Sequence, residues 1–336
     1  MSNKMKKVSV VIPCRNEERH IKSCIESILA NGYPKEDIEI LVVDGQSDDR
    51  TIEIISDLQK TFKQVKLFNN PKRLTPFALN IGVFSAEHEH ILIASAHSSF
   101  EKNYIKILMN AMYDLEKASA VGGVMDTRIK TSTKTSESIK EVLTHPFGVG
   151  NSTFRTGTNN TINVDTVPFG LYKTKEMVEL GGYNELLIRN HDMELSKRIL
   201  KKGGKIYLVS EARCNYYARE NYSAICKNNF NNGKWNILTV FITKTFSSLS
   251  IRHFIPLFFL LSIFVPAVIS IWSTCFVFLS VLSIMLYVLA MSYFAFKIKN
   301  KKTNLLYLLI AFSSLHVSYG IGSLYGFLSI PFIKRK

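Results

Sequence analysis

The sequence predicts an α/β fold, a mostly parallel sheet with flanking helices, followed by a C-terminal α-helical membrane region. Two observations carry this. In the first third of the chain, short β-branched runs alternate with segments of helical period, the pattern of an open parallel sheet. From Phe254 to Phe296 there is no Asp, Glu, Lys, Arg or His, and a bilayer core needs about 20 apolar residues per helical span.

Val8–Ile12 is an unbroken apolar and β-branched run, apart from Ser9, and reads as a buried strand. A polar turn, Arg15-Asn16-Glu17-Glu18, leads into a helix with Ile21, Cys24, Ile25, Ile28 and Leu29 at three- and four-residue steps. Ile38–Val43 is a second strand, ending on Asp44. Asp48 or Asp49 caps a helix carrying Ile52, Ile55 and Leu58. Val65–Phe68 and Ile91–Ala94 are further strands, with a helix over Leu74–Phe84 between them. Beyond Ala120 the pattern loosens. Gly122-Gly123 reads as a turn and Thr131–Lys140 as a mobile loop. Val164–Phe169 resumes strand character, Lys175–Leu180 is a short helix ended by Gly181-Gly182, Asp192–Leu200 is a helix stopped by Gly203-Gly204, and Ile206–Val209 is a last strand.

This divides the chain into a catalytic-type domain at 1–235, an interfacial segment at 236–253 and a membrane region at 254–333. Spans are placed at 254–272 and 275–296, with a tight turn near Trp272–Cys275. A third apolar segment, 305–333, is interrupted only by His316, and Ser318–Gly322 can break it into a re-entrant or interfacial hairpin, so that spanning and breaking both stay open. The net charge is +15. Nucleic acid is the first partner such a balance suggests, but Lys227, Lys234, Lys244, Arg252, Lys297, Lys299, Lys301 and Lys302 flank the apolar spans, as membrane surfaces and the positive-inside rule favour. No nucleic acid partner is expected. That rule places the N-terminal domain on the cytoplasmic side of a multi-pass protein of the inner or plasma membrane. Val8–Ile12 is too short for a signal-peptide core. The five cysteines show no CxxC spacing, so neither a disulfide framework nor a zinc site is indicated.

In parallel α/β sheets ligands gather beyond the carboxyl ends of the strands. Asp44 stands at such an end and can accept hydrogen bonds from a ribose or a base N–H; a helix-capping acid is the competing explanation. A nicotinamide dinucleotide site would need a glycine-rich turn after the first strand. The turn here, Pro13 to Glu18, holds no glycine.

The segments Val8-Ser9-Val10-Val11-Ile12-Pro13-Cys14-Arg15-Asn16-Glu17 and Val42-Val43-Asp44-Gly45-Gln46-Ser47-Asp48-Asp49-Arg50-Thr51 resemble the opening of family 2 glycosyltransferases of the GT-A fold. Gly148–Ser152, Val164–Gly170 and His316–Gly320 look like the membrane-attached branch that builds succinoglycan-type exopolysaccharides. The resemblance implies inverting transfer from a nucleotide-sugar donor to a lipid-linked saccharide acceptor. It places Pro13, Arg15, Glu17, Asp44 and Asn80 at the nucleotide, with Asn80 and Gly82 matching an N-x-G helix segment. Asp192, in Arg189-Asn190-His191-Asp192-Met193-Glu194, matches the catalytic carboxylate, which would remove the proton from the acceptor hydroxyl. Asp165, Glu194 and Trp235 fall in the acceptor region. Ser95-Ala96-His97 stands where this branch has Asp-Ala-His, a segment that holds a divalent cation, Mg²⁺ or Mn²⁺, against the diphosphate. The first acid is absent, and His97 alone is a poor cation ligand. The alternative is therefore a non-catalytic subunit that binds nucleotide or glycan.

Overall fold

The computed structural model describes residues 6–150, 152–246 and 249–332. Along the chain come β1 (Val8–Cys14), α1 (Ile21–Leu29), β2 (Ile38–Asp44), α2 (Thr51–Thr61), β3 (Val65–Asn69), α3 (Thr75–Ser85), β4 (His90–Ile93), β5 (Ser98–Phe100), α4 (Tyr104–Asp114) and β6 (Ala118–Arg128). There follow α5 (Lys134–Leu143), α6 (Pro146–Val149), α7 (Thr153–Thr156), β7 (Ile162–Asn163), β8 (Leu171–Lys173), α8 (Thr174–Glu179), α9 (His191–Lys201) and β9 (Lys205–Tyr217). The remainder is helical: α10 (Tyr222–Thr243), α11 (Ile255–Ile269), α12 (Cys275–Ile298) and α13 (Leu305–Ser329). The chain forms two compact units. One holds the residues up to Asp126 with Gly157–Tyr217; the other holds Thr127–Thr156 with the chain from Ala218 onward. The boundary expected at 235 falls inside α10.

In the first unit, the described strands form one sheet in the order β3-β2-β1-β4-β8-β6-β9-β5, with β7 beside β9. β3, β2, β1 and β4 are parallel, and β8 runs antiparallel to β4. Val8, Val10, Val11 and Ile12 are fully buried, as a run without alternation requires when helices cover both faces. α1 buries the five residues its spacing singled out. α3 lies so close to β1 that a Cβ at Gly82 would stand 2.3 Å from Val11 Cγ1.

Three local expectations are corrected. Gly122-Gly123 is no turn but the middle of β6. A Cβ at Gly123 would lie 2.4 Å from the Ala212 carbonyl oxygen and 2.6 Å from the Tyr104 ring, so glycine there lets β9 and α4 come close. Thr131–Lys140 is not a loop throughout: α5 starts at Lys134, because Thr133 and Ser136 cap it reciprocally, Thr133 Oγ1 accepting from Ser136 N–H and Ser136 Oγ from Thr133 N–H. Val164–Phe169 is not a strand. Pro168 has no N–H for a ladder and Phe169 has φ 43°, so the strand β8 begins only at Leu171.

In the second unit, Ile139 and Val142 of α5 share a core with Met291 and Ala295 of α12 and with Leu308, Ala311, Phe312 and Leu315 of α13. Among the described residues, three helical segments are long and apolar enough to cross a membrane: Ile251–Ile269, Cys275–Ile298 and Leu305–Phe332. The first two are separated by a turn where one was expected. The third is continuous through Ser318–Gly322, so the hairpin does not form. Its glycines serve packing: a Cβ at Gly322 would sit 1.9 Å from the Phe230 carbonyl oxygen, and one at Gly233 of α10 would sit 1.9 Å from that of Tyr319. The first part of the 236–253 segment continues α10, which ends at Thr243. Asn236 to Thr239 lie buried in α10. His316 of α13 is held on both ring nitrogens, by the Phe147 carbonyl at 2.9 Å and by the Tyr287 hydroxyl at 3.2 Å. Lys334, Arg335 and Lys336 lie outside the described residues, as do Ile333 and Asn151.

Candidate active site

β1 and β2 pair in register, Cys14 against Asp44, so the loops that follow them leave the same edge of the sheet. They clasp one another. Asp44 is buried; its carboxylate accepts hydrogen bonds from Ser47 Oγ and, at 2.9 Å, from the Ser47 N–H. Burial and the Asp44 charge push the Cys14 thiol up, so Cys14 stays protonated beside the carboxylate. Asn16 (φ 56°) donates its N–H to Ser47 Oγ at 2.8 Å and makes a two-way amide bridge to Asp48. Gln46 (φ 58°) accepts from Arg73 Nε at 2.6 Å. Two left-handed, non-glycine residues in facing loops are a conformational cost that the mutual hydrogen bonds offset, and such strain clusters where ligands bind. Arg15 is exposed at the rim and Pro13 is half-buried.

β4 is parallel to β1, so Ser95–His97 leaves the same edge. His97 Nε2 lies 2.8 Å from Glu17 Oε1, and its ring stands edge-on to that of His20 with centroids 4.5 Å apart. Ser95 turns inward: its hydroxyl faces the His97 N–H at 3.4 Å and its carbonyl accepts from Ser98 Oγ and N–H.

The acidic segments meet this edge from the other side. Because β8 is antiparallel to β4, the chain entering β8, Asp165 to Gly170, arrives where β4 ends; the Ile93 N–H donates to the Gly170 carbonyl at 3.0 Å. α9 is tied to this segment through Ser196. Ser196 Oγ donates to the Asp192 carbonyl at 2.8 Å and lies 3.2 Å from Thr166 Oγ1. Asp192 stands in the first turn of α9. Burial first and the Asp192 charge second push the Tyr172 hydroxyl up. His191 beside it is held below the ordinary imidazole range by burial, against the pull of Asp192, and packs edge-on against Tyr183.

Two residues expected at the ligands are used structurally instead. Asn80 accepts from the Tyr183 N–H at 2.7 Å and donates to the Tyr183 carbonyl and to Glu185 Oε1, so its amide is spent holding that turn. Glu194 is buried and paired through both oxygens with Arg198 at 2.8 Å, while Arg198 also donates to the Leu180 and Gly182 carbonyls. Glu194 thus fixes α9 rather than facing an acceptor. Trp235 lies in the second unit, on α10 and half-buried; in the same helix Lys234 Nζ sits 5.1 Å from the Tyr325 ring centroid. Sequence reasoning missed Ser47, Asn16 and Arg198, and it missed that His20 and Glu17 stand beside His97. The one legible signal was the three-residue step between Glu17 and His20 at the start of a helix.

The described sheet, with its mixed parallel and antiparallel order, is that of the GT-A fold. A fold neighbour is the crystal structure of GalNAc-T7 with UDP, GalNAc and Mn²⁺, at a TM-score of 0.51 and 17% identity over 65% of this chain and 45% of that one. The model of glycosyl transferase family 2 matches residues 9–172. The dolichyl N-acetyl-alpha-D-glucosaminyl phosphate 3-beta-D-2,3-diacetamido-2,3-dideoxy-beta-D-glucuronosyltransferase of Methanococcus voltae is 31% identical over 237 residues, 67% of this chain and 71% of that protein. The succinoglycan biosynthesis protein ExoA of Rhizobium meliloti is 27% identical over 212 residues, covering 62% of this chain and 63% of its own length. The chain belongs to glycosyl transferase family 2 and is a glycosyltransferase.

Proposed function

We propose that the protein is a membrane-anchored, inverting glycosyltransferase that moves a sugar from a nucleotide donor to a lipid-linked saccharide, in building an extracellular or capsular polysaccharide. The observation that carries this reading is that the loop after β2, with the buried Asp44 carboxylate, and, from the antiparallel side, the Asp165–Gly170 segment meet at one sheet edge, and that α9, the helix of Asp192, is tied to that segment through Ser196 and Thr166. Asp44 accepts hydrogen bonds from the nucleoside, and Pro13, Arg15 and Glu17 line the same pocket. Asp192 takes the proton from the acceptor hydroxyl as its oxygen attacks the anomeric carbon. The bond from that carbon to the diphosphate breaks, and the nucleoside diphosphate leaves with the electron pair. Asp165 holds an acceptor hydroxyl. The negative charge that grows on the leaving diphosphate needs a positive partner, which a divalent cation at His97 supplies when bound.

Three apolar helices support attachment to a membrane. Anchoring confines the enzyme to the plane that holds a lipid-linked acceptor and raises the acceptor's effective concentration. The catalytic unit is cytoplasmic, which keeps Lys297–Lys302, after two spans, on the side that the positive-inside rule favours. The relatives named above, one acting on a dolichyl phosphate sugar and one in succinoglycan biosynthesis, agree with this setting. The test is a donor screen read by mass spectrometry of products, with native membranes as the acceptor source. Asp192→Asn is expected to bind the nucleoside diphosphate as the parent does and to lose about 10²–10⁴ in turnover. Parental turnover in that variant rules out Asp192 as the base. Nucleotide binding without transfer by the parent chain, across all donors, favours the non-catalytic alternative.

A further inference from the structure

We propose that Glu17, His20 and His97 form a divalent transition-metal site, in which two residues of the β1–α1 turn stand in for the acid that Ser95 lacks. The inference rests on the glycosyltransferase reading for the use of the ion, but not for its binding. One donor atom from each of the three side chains lies within 4.8 Å of the others. The pair His97 Nε2 and Glu17 Oε1, at 2.8 Å, is already at the spacing of neighbouring ligands on one ion, about 3 Å for bonds of about 2.1 Å. The His20 ring stands against that of His97, so a small rotation completes a face of three donors.

The backbone that carries these donors is fixed. Glu17 donates its N–H to Thr51 Oγ1 at 2.7 Å, and its carbonyl accepts from the N–H groups of His20 and Ile21, both at 2.9 Å. Glu17 and His20 are therefore locked on one turn, three residues apart, facing the same way. His97 is set by the Ser95–Ser98 turn, in which the Ser95 oxygens are directed to its own loop. Ser95 is thereby withdrawn from the ion's position, and Glu17 supplies the carboxylate from the opposite loop.

The donor set also selects the metal. Magnesium prefers an all-oxygen octahedron and gives up water reluctantly. Two imidazoles with one carboxylate suit manganese, iron, cobalt or zinc. Three protein donors leave coordination positions open, the condition for an ion that must also meet a diphosphate.

The experiment uses the full-length chain in uncharged detergent. Mn²⁺ alone is titrated and read by the loss of the free-ion electron paramagnetic resonance signal; Co²⁺ is read by its visible absorption. The expected result is one Mn²⁺ per chain, with Mg²⁺ competing only at about a hundred-fold or greater excess, and Kd raised about ten-fold or more by either His20→Ala or the isosteric Glu17→Gln. Absence of Mn²⁺ binding up to millimolar concentration overturns the site, as does binding that neither substitution changes. Equal affinity for Mg²⁺ overturns the nitrogen-rich coordination. Transfer is measured separately, with and without chelator. Mn²⁺ binding as described without transfer to any acceptor leaves the site standing and removes the glycosyltransferase reading. Transfer that persists in chelator, by a chain that binds no Mn²⁺, does the reverse.

Discussion

Glu194→Ala separates a structural carboxylate from a catalytic one on the same helix. In the parent, Arg198 makes four hydrogen bonds: two to Glu194, and one each to the Leu180 and Gly182 carbonyls at 2.6 and 2.8 Å. Those carbonyls end α8 and lead into a turn in which Gly181 and Gly182 have φ of 78° and 68°. The pair therefore staples α9 to the turn before it. Removing one member of a fully buried ion pair costs about 3–5 kcal/mol. Here the side chains are 11% and 28% exposed, so water screens the orphaned guanidinium in part. A cost of about 2 kcal/mol follows, a thirty-fold or so increase in local opening at about 1.4 kcal/mol per factor of ten. Glu194→Gln keeps one acceptor and costs about 1 kcal/mol. Both tryptophans, Trp235 and Trp272, lie in the second unit, so fluorescence does not read this event. Hydrogen exchange with mass spectrometry over residues 178–201 of the detergent-solubilised chain does. Faster exchange there in Glu194→Ala, but not in Asp192→Asn, is the expected pattern. Unchanged exchange with a selective loss of acceptor affinity refutes the argument and returns Glu194 to the acceptor site.

Asp44→Asn retains an acceptor for the Ser47 N–H and removes the charge; it is expected to weaken nucleoside diphosphate binding about ten-fold or more in calorimetry with unchanged circular dichroism, and an unaltered Kd removes Asp44 from the nucleotide site. Acid should destabilise the first unit from near pH 6.5 downward. Burial depresses His90 and His191, so the folded chain keeps them neutral while the unfolded chain binds protons as pH falls through the ordinary value of 6.5; the stability they contribute is whole above that pH and is lost below it. Glu39 adds a second loss below about pH 4.5, because its bonds to Lys66, to Ser9 Oγ and to the Glu87 N–H outweigh burial and hold its carboxyl low. A melting temperature that is flat or rising from pH 7.5 to 5 contradicts this.

How far the sequence was legible follows from what each residue's neighbours are. β1 and β2 were visible because Val8–Ile12 and Ile38–Val43 are apolar runs whose burial needs no knowledge of the rest of the chain beyond helices on both faces. β6 was hidden because Gly122 and Gly123 look like turn residues in isolation, while their actual task, admitting Val167, Tyr104 and Ala212, depends on strands and a helix distant in sequence. α5 was hidden because its cap uses Ser136 where the familiar pattern has Glu or Gln. The site shows the same division. The place of Asp44 at the end of β2 was legible from the apolar run before it. The staple that Glu194 makes through Arg198 was not legible, because the further partners of Arg198, the Leu180 and Gly182 carbonyls, belong to a turn that sequence does not align with it. Glu17 and His97 come together because β1 and β4 are neighbours in the sheet, and this juxtaposition is a property of strand order rather than of local pattern.

The contact between α10 and α13 has a mechanical consequence. At Gly233 and Gly322 the main chains touch without an intervening side chain, and Gly326 meets the Lys234 carbonyl. Two helices meshed in this way have no clearance for gradual slip. Any relative displacement would drive Phe230 or Ile237, each about one turn from Gly233 on α10, into a slot cut for a hydrogen atom, so the next matching position is about one full turn, 5.4 Å or so, away. The pair therefore behaves as a single beam. Flexing within the second unit falls to α11 and α12, most of whose residues lie open at the surface.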